Sequence, residues 1–269
     1  DTGINTIGIY EHCTRYNSMV SHADQFEGKL ITAIMTAMSA PRGPVHLSIP
    51  LDILRSIAPV SKPSYNLPSL IQPPNTCDNI AVAQLAEELR LAKNPVFVLG
   101  GDCAESVRVI TTVAVAMDAI ILTTPDGKGL ISPYHPLYRG VIGFAGHENA
   151  SQLLESDDVD LIVAAGTTLG EWASNGWDQN TLMNNRLIHI ESSEGNLTRS
   201  PMARLHVRGR ILAIFEQIES GLREPQHLAS RRQSNAQLFK EGLPFDLLEP
   251  EKCQQESTPI KPQWLMHNI

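Results

Sequence analysis

Four short apolar segments, each followed by a turn and then a helical pattern, restrict this chain more than any other feature. Val96-Phe97-Val98-Leu99, Ala119-Ile120-Ile121-Leu122 and Leu161-Ile162-Val163-Ala164 are wholly apolar, and Leu187-Ile188-His189-Ile190 nearly so. A half-buried strand alternates apolar and polar residues; a strand with no polar face is covered on both sides. Leu205-His206-Val207 is a weaker run of the same kind. Between them lie segments with helical spacing. Asp78 can cap a helix to about Leu91, with Val82, Leu85, Ala86 and Leu89 on one face, before Asn94-Pro95 breaks it. Further helices fit at about 104–117, 149–155 and 209–220. Strands alternating with helices build βαβ units, so the expected class is α/β with a doubly wound parallel sheet.

The flanks read differently. Residues 1–20 look extended or irregular, with turns at Gly3 and Gly8. Ser21 and Asp24 have the spacing of a capping box. Phe26, Leu30, Ile34 and Met38, joined by Ile31 and Met35, then form a broad apolar helical face that Pro41 ends. Val45–Ile49 reads as a strand closed by Pro50. Residues 57–76 carry five prolines among Ser, Asn and Gln and read as an extended linker. The expected organisation is a partial α/β segment over 1–56, the linker 57–76, a domain over 77–220, and a proline-rich tail over 221–269 whose end, from Gln263, begins another helix.

Bulk composition excludes several functions. A net charge of -8 with dispersed arginines argues against nucleic acid, because phosphate binding needs clustered Lys and Arg; the densest pair, Arg231-Arg232, lies in the polar tail. No apolar run approaches the roughly 20 residues that span a bilayer. Four scattered cysteines form no CxxC pair and suit a reduced, cytoplasmic setting. Nine histidines include no HExxH or HxH, so no metal site is expected. The chain opens on Asp1, without a Met or a secretory signal, as a processed or excised piece would.

Ligands of open α/β sheets bind beyond the carboxyl ends of the strands. Four such ends are rich in small and polar residues: Gly100-Gly101-Asp102, Thr123-Thr124 with Gly127-Lys128-Gly129, Gly166-Thr167-Thr168, and Glu191-Ser192-Ser193. Glycines admit a phosphate to the backbone, hydroxyls add donors, and a carboxylate such as Glu191 can hold ribose hydroxyls. Turns after parallel strands need the same residue types even when nothing binds. A nicotinamide site fails on GxGxxG, since the first turn is Gly-Gly-Asp-Cys-Ala and the second strand ends in threonines. A P-loop and a GxSxG elbow are absent. Asp157, Asp158 and Asp160 read as an exposed turn; His135 and His147 flank a glycine-rich loop; Trp172 and Trp177 suit stacking or packing.

In order along the chain, these residues resemble thiamine-diphosphate-dependent enzymes of the acetolactate synthase kind. Gly43-Pro44-Val45-His46-Leu47-Ser48-Ile49-Pro50-Leu51-Asp52 is similar to the GPVxLxIPxD close of their pyrimidine-binding domain. Asn94–Gly101, Thr123-Thr124, Gly127-Lys128-Gly129, His135-Pro136-Leu137, Gly140, Asp160–Val163, Gly166 and Ile188–Glu191 follow their central domain. Pro259–Pro262 resembles the entry to the pyrophosphate-binding domain. The resemblance implies a Rossmann-like central sheet of about six strands. It also implies a whole enzyme that acts on a 2-oxo acid with thiamine diphosphate and magnesium, as a homo-dimer or homo-tetramer. It places FAD, ADP or nothing in the central domain, against Gly100, Gly101, Thr123, Thr124, Gly166, Thr167 and Glu191. The family's activating glutamate would precede Asp1, and its GDG…N segment does not occur. The expected whole is therefore a catalytically inert piece, with a nucleotide-binding module or a purely structural domain as alternatives. Flavin-binding members carry an arginine soon after the position of Gly166, where this chain has Thr167-Thr168-Leu169; at the ribose position the family usually carries Asp, where this chain has Glu191.

Overall fold

The computed structural model describes residues 3–39, 42–57, 76–222, 250–254 and 257–268. The proposed linker, apart from residues 57 and 76, and most of the proline-rich tail lie outside the described residues, as does Pro41.

The amino-terminal segment is more regular than its sequence suggests. Within residues 1–20, which the sequence reads as extended or irregular, strand β1 (Tyr16–Met19) is extended, whereas helix α1 (Thr6–Tyr10) places Gly8 within a helix rather than a turn. Asn5 caps α1, its Oδ1 accepting the Gly8 amide at 3.0 Å. A 3-10 turn at Ala23–Gln25 leads into α2 (Phe26–Met38). The Ser21–Asp24 capping box does not form; the amide of Ser21 donates instead to Oε1 of Gln25, at 3.4 Å. Strand β2 (Val45–Ser48) pairs in parallel with β1, and α3 (Leu51–Leu54) follows Pro50. This segment buries little. Among its described hydrophobic residues only Val20 and Ala33 are in the core, and Phe26, Leu30 and Met38 of the predicted face are exposed.

From Cys77 onward the chain folds around a six-stranded, wholly parallel sheet. Helix α4 (Asn79–Leu91) opens it, capped by Asp78 Oδ1, which accepts from Ile80 N at 3.0 Å and Ala81 N at 3.1 Å. Ala81, Val82, Leu85 and Leu89 form its buried stripe, whereas Ala86 is exposed. Strand β3 (Pro95–Leu99) is followed by a 3-10 turn (Gly101–Ser106) and α5 (Val107–Met117). Then come β4 (Ile120–Thr123), β5 (Tyr138–Val141), α6 (Glu148–Glu155), β6 (Leu161–Ala165), β7 (Leu187–Glu191), the short α7 (Glu194–Leu197), β8 (Leu205–Arg208) and α8 (Ile211–Leu222). Two short helices, α9 (Pro250–Gln254) and α10 (Pro262–Asn268), complete the described chain.

The strand order is β5-β4-β3-β6-β7-β8. The order reverses between β3 and β6, the position at which open α/β sheets form their crevice. Period-2 alternation sends Phe97, Leu99, Ile121, Val163, Ile188 and Ile190 to one face and Val96, Val98, Leu122, Ile162, Ala164 and Leu187 to the other. The first face is covered by α4, α5 and α8; the second by α6 and by Leu169, Leu182 and Met183 from the long irregular segment after β6. Both faces are apolar for that reason, as the runs required.

Strand β5 has no apolar run and escapes sequence reading. It is an edge strand with Tyr138 and Arg139 only half-buried, and its register against β4 shifts between Ile121 and Thr123. Asp160 also departs from the expected exposed turn. Its carboxylate accepts the amides of Lys93 at 2.6 Å and Asn94 at 2.9 Å, tying the starts of β3 and β6 together.

Candidate functional site

The carboxyl ends of the strands are tightly closed at the reversal point. A Cβ on Gly100 would lie 2.2 Å from the Gly166 carbonyl oxygen and 2.6 Å from Cβ of Thr167. Gly166, at φ +61, is in turn covered by the backbone of Asp102 and Cys103. The two glycines thus let the turn after β3 fold across the end of β6. Cys103 seals this contact: its thiol donates to the Ala165 carbonyl at 3.1 Å, and burial pushes its pKa up.

Several predicted site residues spend their polar groups inside this closure. The Thr123 hydroxyl bonds the Tyr138 hydroxyl at 2.9 Å. The Thr124 hydroxyl serves Asp126 and the Leu99 carbonyl. The Thr167 carbonyl accepts from His189 Nε2 at 2.9 Å, and its hydroxyl accepts from Leu169 N. Gly100, Thr123, Thr124, Gly166, Thr167 and Glu191 are all buried. His135 and His147 use Nδ1 to accept the amides of Leu137 and Val141, so both shape their loop. Trp172 and Trp177 stay exposed, with Phe144 tilted against Trp172 at a centroid distance of 5.0 Å.

The open space lies beside this closure. A cleft of about 580 Å³ runs along the carboxyl ends of β3, β7 and β8. Gly101 and Asp102 come from the first, Ser192 and Ser193 from the second, and Arg208, Gly209 and Arg210 from the third. Thr76–Asp78 lies beside Arg208–Arg210, bridged through Cys77 and Gly209, and Met38 and Arg42 reach in from the amino-terminal segment. Of the predicted ends, the structure therefore joins Gly101-Asp102 and Ser192-Ser193 at the cleft and places the threonine ends of β4 and β6 away from it.

Glu191 stands directly behind the wall of this cleft. Its Oε1 accepts from Ser192 N at 2.7 Å, Ser192 Oγ at 3.1 Å and Ser193 N at 3.4 Å. Its Oε2 has no hydrogen-bond partner among the described residues, although the side chain is fully buried. A buried acceptor without a donor carries most of its desolvation cost uncompensated. Burial accordingly pushes the Glu191 carboxyl up, and nearby Asp102 pushes it the same way. Asp102 is raised too, by burial first and by Asp126 second, with Arg42 opposing.

Sequence reasoning missed Arg42, Glu105, Arg208 and Arg210. The last two follow the weak run Leu205–Val207 and precede a helix, so the strand-end rule finds them once that run is taken as a full strand. For Arg42 no local signal exists, because it meets Glu105, 63 positions away, only in the folded chain.

The comparisons with known proteins agree with this architecture. The family described as thiamine pyrophosphate enzyme, central domain, matches residues 82–218, just over half of the chain. A putative acetolactate synthase large subunit of Mycobacterium tuberculosis is 26% identical over 63% of this chain and 32% of its own length. The large subunit of acetolactate synthase isozyme 1 of Escherichia coli is 23% identical over 93% of this chain and 43% of its own. A probable 2-ketoarginine decarboxylase of Pseudomonas aeruginosa is 25% identical over 66% of this chain and 30% of its own. The chain thus spans less than half the length of these relatives. Among solved structures, a putative thiamin diphosphate-dependent enzyme of Mycobacterium smegmatis shares the fold at TM-score 0.59 and 21% identity, over 80% of this chain and 41% of that one.

Proposed function

This chain belongs to the thiamine pyrophosphate enzymes through their central domain, and from that premise we propose that it is a nucleotide-carrying part of an acetolactate synthase-like enzyme acting on 2-oxo acids. The cleft takes an ADP moiety, as ADP itself or as half of FAD. The observation that carries this reading is the cleft wall, where Gly101, Ser192 and Ser193 stand with three arginines; behind the serines the fully buried Glu191 Oε2 has no donor among the described residues. Ribose hydroxyls would meet Ser192 and Ser193, whose amides hold the other Glu191 oxygen. A volume near 580 Å³ is within the range of small-molecule sites, about 300–1,000 Å³. Gly101 lets a ligand approach the backbone, and Arg42, Arg208 and Arg210 provide positive charge for its phosphates.

Thiamine diphosphate, when bound by the whole enzyme, would supply carbanion chemistry for a 2-oxo acid substrate. Among the described residues no group of three or more His, Cys, Asp or Glu side chains is placed to hold a metal ion. We assign magnesium and thiamine diphosphate to none of the described residues. We place the whole enzyme in the cytoplasm as a homo-dimer or homo-tetramer, and the 269-residue chain alone as inert toward pyruvate even with both cofactors added.

Thermal melting with ADP, FAD and adenosine tests the nucleotide reading. A ligand at a hundredfold excess over Kd adds about 2.7 kcal/mol, roughly 5–10 °C for a domain of this size. ADP is expected to give that rise, and Glu191→Gln to remove it. A rise with FAD as well favours the flavin branch. The internal use of Thr123, Thr124 and Thr167 favours a second reading, a domain that only spaces catalytic domains and supports dimerisation. No shift with any nucleotide, together with a dimer by light scattering, would establish the second reading over the first.

A further inference from the structure

Two arginines from distant parts of the chain converge on one carboxylate in the cleft. Arg42 Nη2 lies 3.4 Å from Oε1 of Glu105, and Arg210 Nη2 lies 3.4 Å from Oε2. All three residues line the cleft. The two guanidinium groups hold the Glu105 carboxyl below the usual carboxylate range, so it is charged at neutral pH.

Both contacts are long, and the side chains of Arg42 and Glu105 are more than half exposed. Ion pairs of that kind contribute little and exchange readily. The other acids on the wall are differently engaged. Asp78 caps α4 with Oδ1, and the exposed Asp102 feels the charge of Asp126, which accepts from Gly101 N. Ile211 and Leu212 on the same wall open α8, a helix of 12 residues. Helix geometry leaves first-turn amides without an intrahelical acceptor and gives that end a partial positive charge. Two guanidinium groups, one on each oxygen of a carboxylate and close to a helix amino end, also match two oxygens of a phosphate.

We propose that Glu105 is a resident competitor for the phosphates of the cleft's ligand. A nucleoside diphosphate takes Arg42 and Arg210 from Glu105 as it binds, and the displaced carboxylate turns to solvent. This rests on the nucleotide reading given above and adds to it how phosphate affinity is set. Glu105 then acts against binding and keeps the arginines in place for it.

Calorimetric titration of the full chain with ADP, adenosine and inorganic pyrophosphate tests this on wild type, Glu105→Gln and Glu105→Ala. Removing one competing charge is expected to tighten ADP and pyrophosphate roughly three- to tenfold in both variants, with adenosine unchanged. Melting temperatures within a degree or so of wild type would show that the fold is retained. ADP binding to wild type with no gain in either variant would overturn the role of Glu105 and leave the nucleotide reading standing. Tighter pyrophosphate with no binding of ADP or adenosine would support the competitor and sink the nucleotide reading. Silence of all three ligands on every chain would overturn both.

Discussion

Acidification offers a direct test of how the centre of the sheet is built. His189 of β7 is fully buried between Thr167 and Ser200. A carbonyl only accepts, so Nε2–H of His189 donates to Thr167 O at 2.9 Å, and Nδ1 accepts from the Ser200 hydroxyl at 2.8 Å. His206 Nε2 donates to the Ser200 carbonyl at 2.9 Å, and its ring lies 6.4 Å from that of His189. The neutral ring satisfies both neighbours. Burial lowers the His189 pKa to about 4 from 6.5, and His206 pushes in the same direction. The folded state thus favours the neutral ring. The stabilisation is complete above pH 6.5 and is lost as pH falls from there through about 4. At about 1.4 kcal/mol per pKa unit, the loss is about 2 kcal/mol by pH 5 and about 3 kcal/mol by pH 4. Glu191, Asp102 and Asp118 have raised pKa values and shift stability the opposite way on acidification. A single profile therefore mixes signs, and the comparison with His189→Gln isolates the imidazole. Urea unfolding followed by tryptophan fluorescence from pH 7 to 4 is the assay. The variant is expected to be less stable at pH 7 but to lose about 3 kcal/mol less over that range. Parallel profiles for the two chains, or a His189 resonance titrating near 6.5, would refute the reasoning.

Two further substitutions probe the frame that positions the cleft. Gly100→Ala would set a methyl group against the Gly166 carbonyl at 2.2 Å, so the backbone of β3 or β6 must move; a loss of about 2–4 kcal/mol in chemical denaturation is expected, and a loss under 1 would show that the closure is loose. Arg186 donates to the carbonyls of Leu154 and Ser156 at the end of α6, of Val159 just before β6, and of Asn180 and Thr181. Arg186→Ala strands several of these acceptors and is expected to cost about 2–4 kcal/mol, with Arg186→Lys recovering only part of it because an ammonium cannot span the same fork; full recovery by Lys would contradict the geometry.

Much of the architecture was legible because burial on both sheet faces leaves a mark in consecutive residues. The runs at 96–99, 119–122, 161–164 and 187–190 correspond to β3, β4, β6 and β7, and Asp78 caps α4 as its position implies. The signal fades wherever a residue's environment is set from one side only. Tyr138–Val141 pairs at an edge, so its half-polar residues carry no apolar run. Ala86 shares helical spacing with buried neighbours yet faces out, because the face of α4 is centred on Ala81, Val82 and Leu85. The apolar spacing of α2 also states an intention to be buried, and among the described residues little covers it.

The strand-end motifs show the same division. Composition after β3, β4, β6 and β7 marked the strand ends beside which the cleft opens, because turns at parallel strand ends need small and polar residues. It did not separate residues that close those ends from residues that open onto space. Strand order made that separation: with β3 beside β6, Gly100 and Gly166 pack into each other, and the free volume moves toward β7 and β8. By itself the sequence determined the α/β class, the parallel sheet, its edge of interest and a family resemblance, all of which depend on neighbours along the chain. Only the tertiary structure decided that Glu191 keeps an oxygen without a donor among the described residues, that Asp160 joins two strands, and that Arg42 meets Glu105. Those facts depend on which distant segments a fold brings within hydrogen-bond reach, and side-chain periodicity carries no record of that.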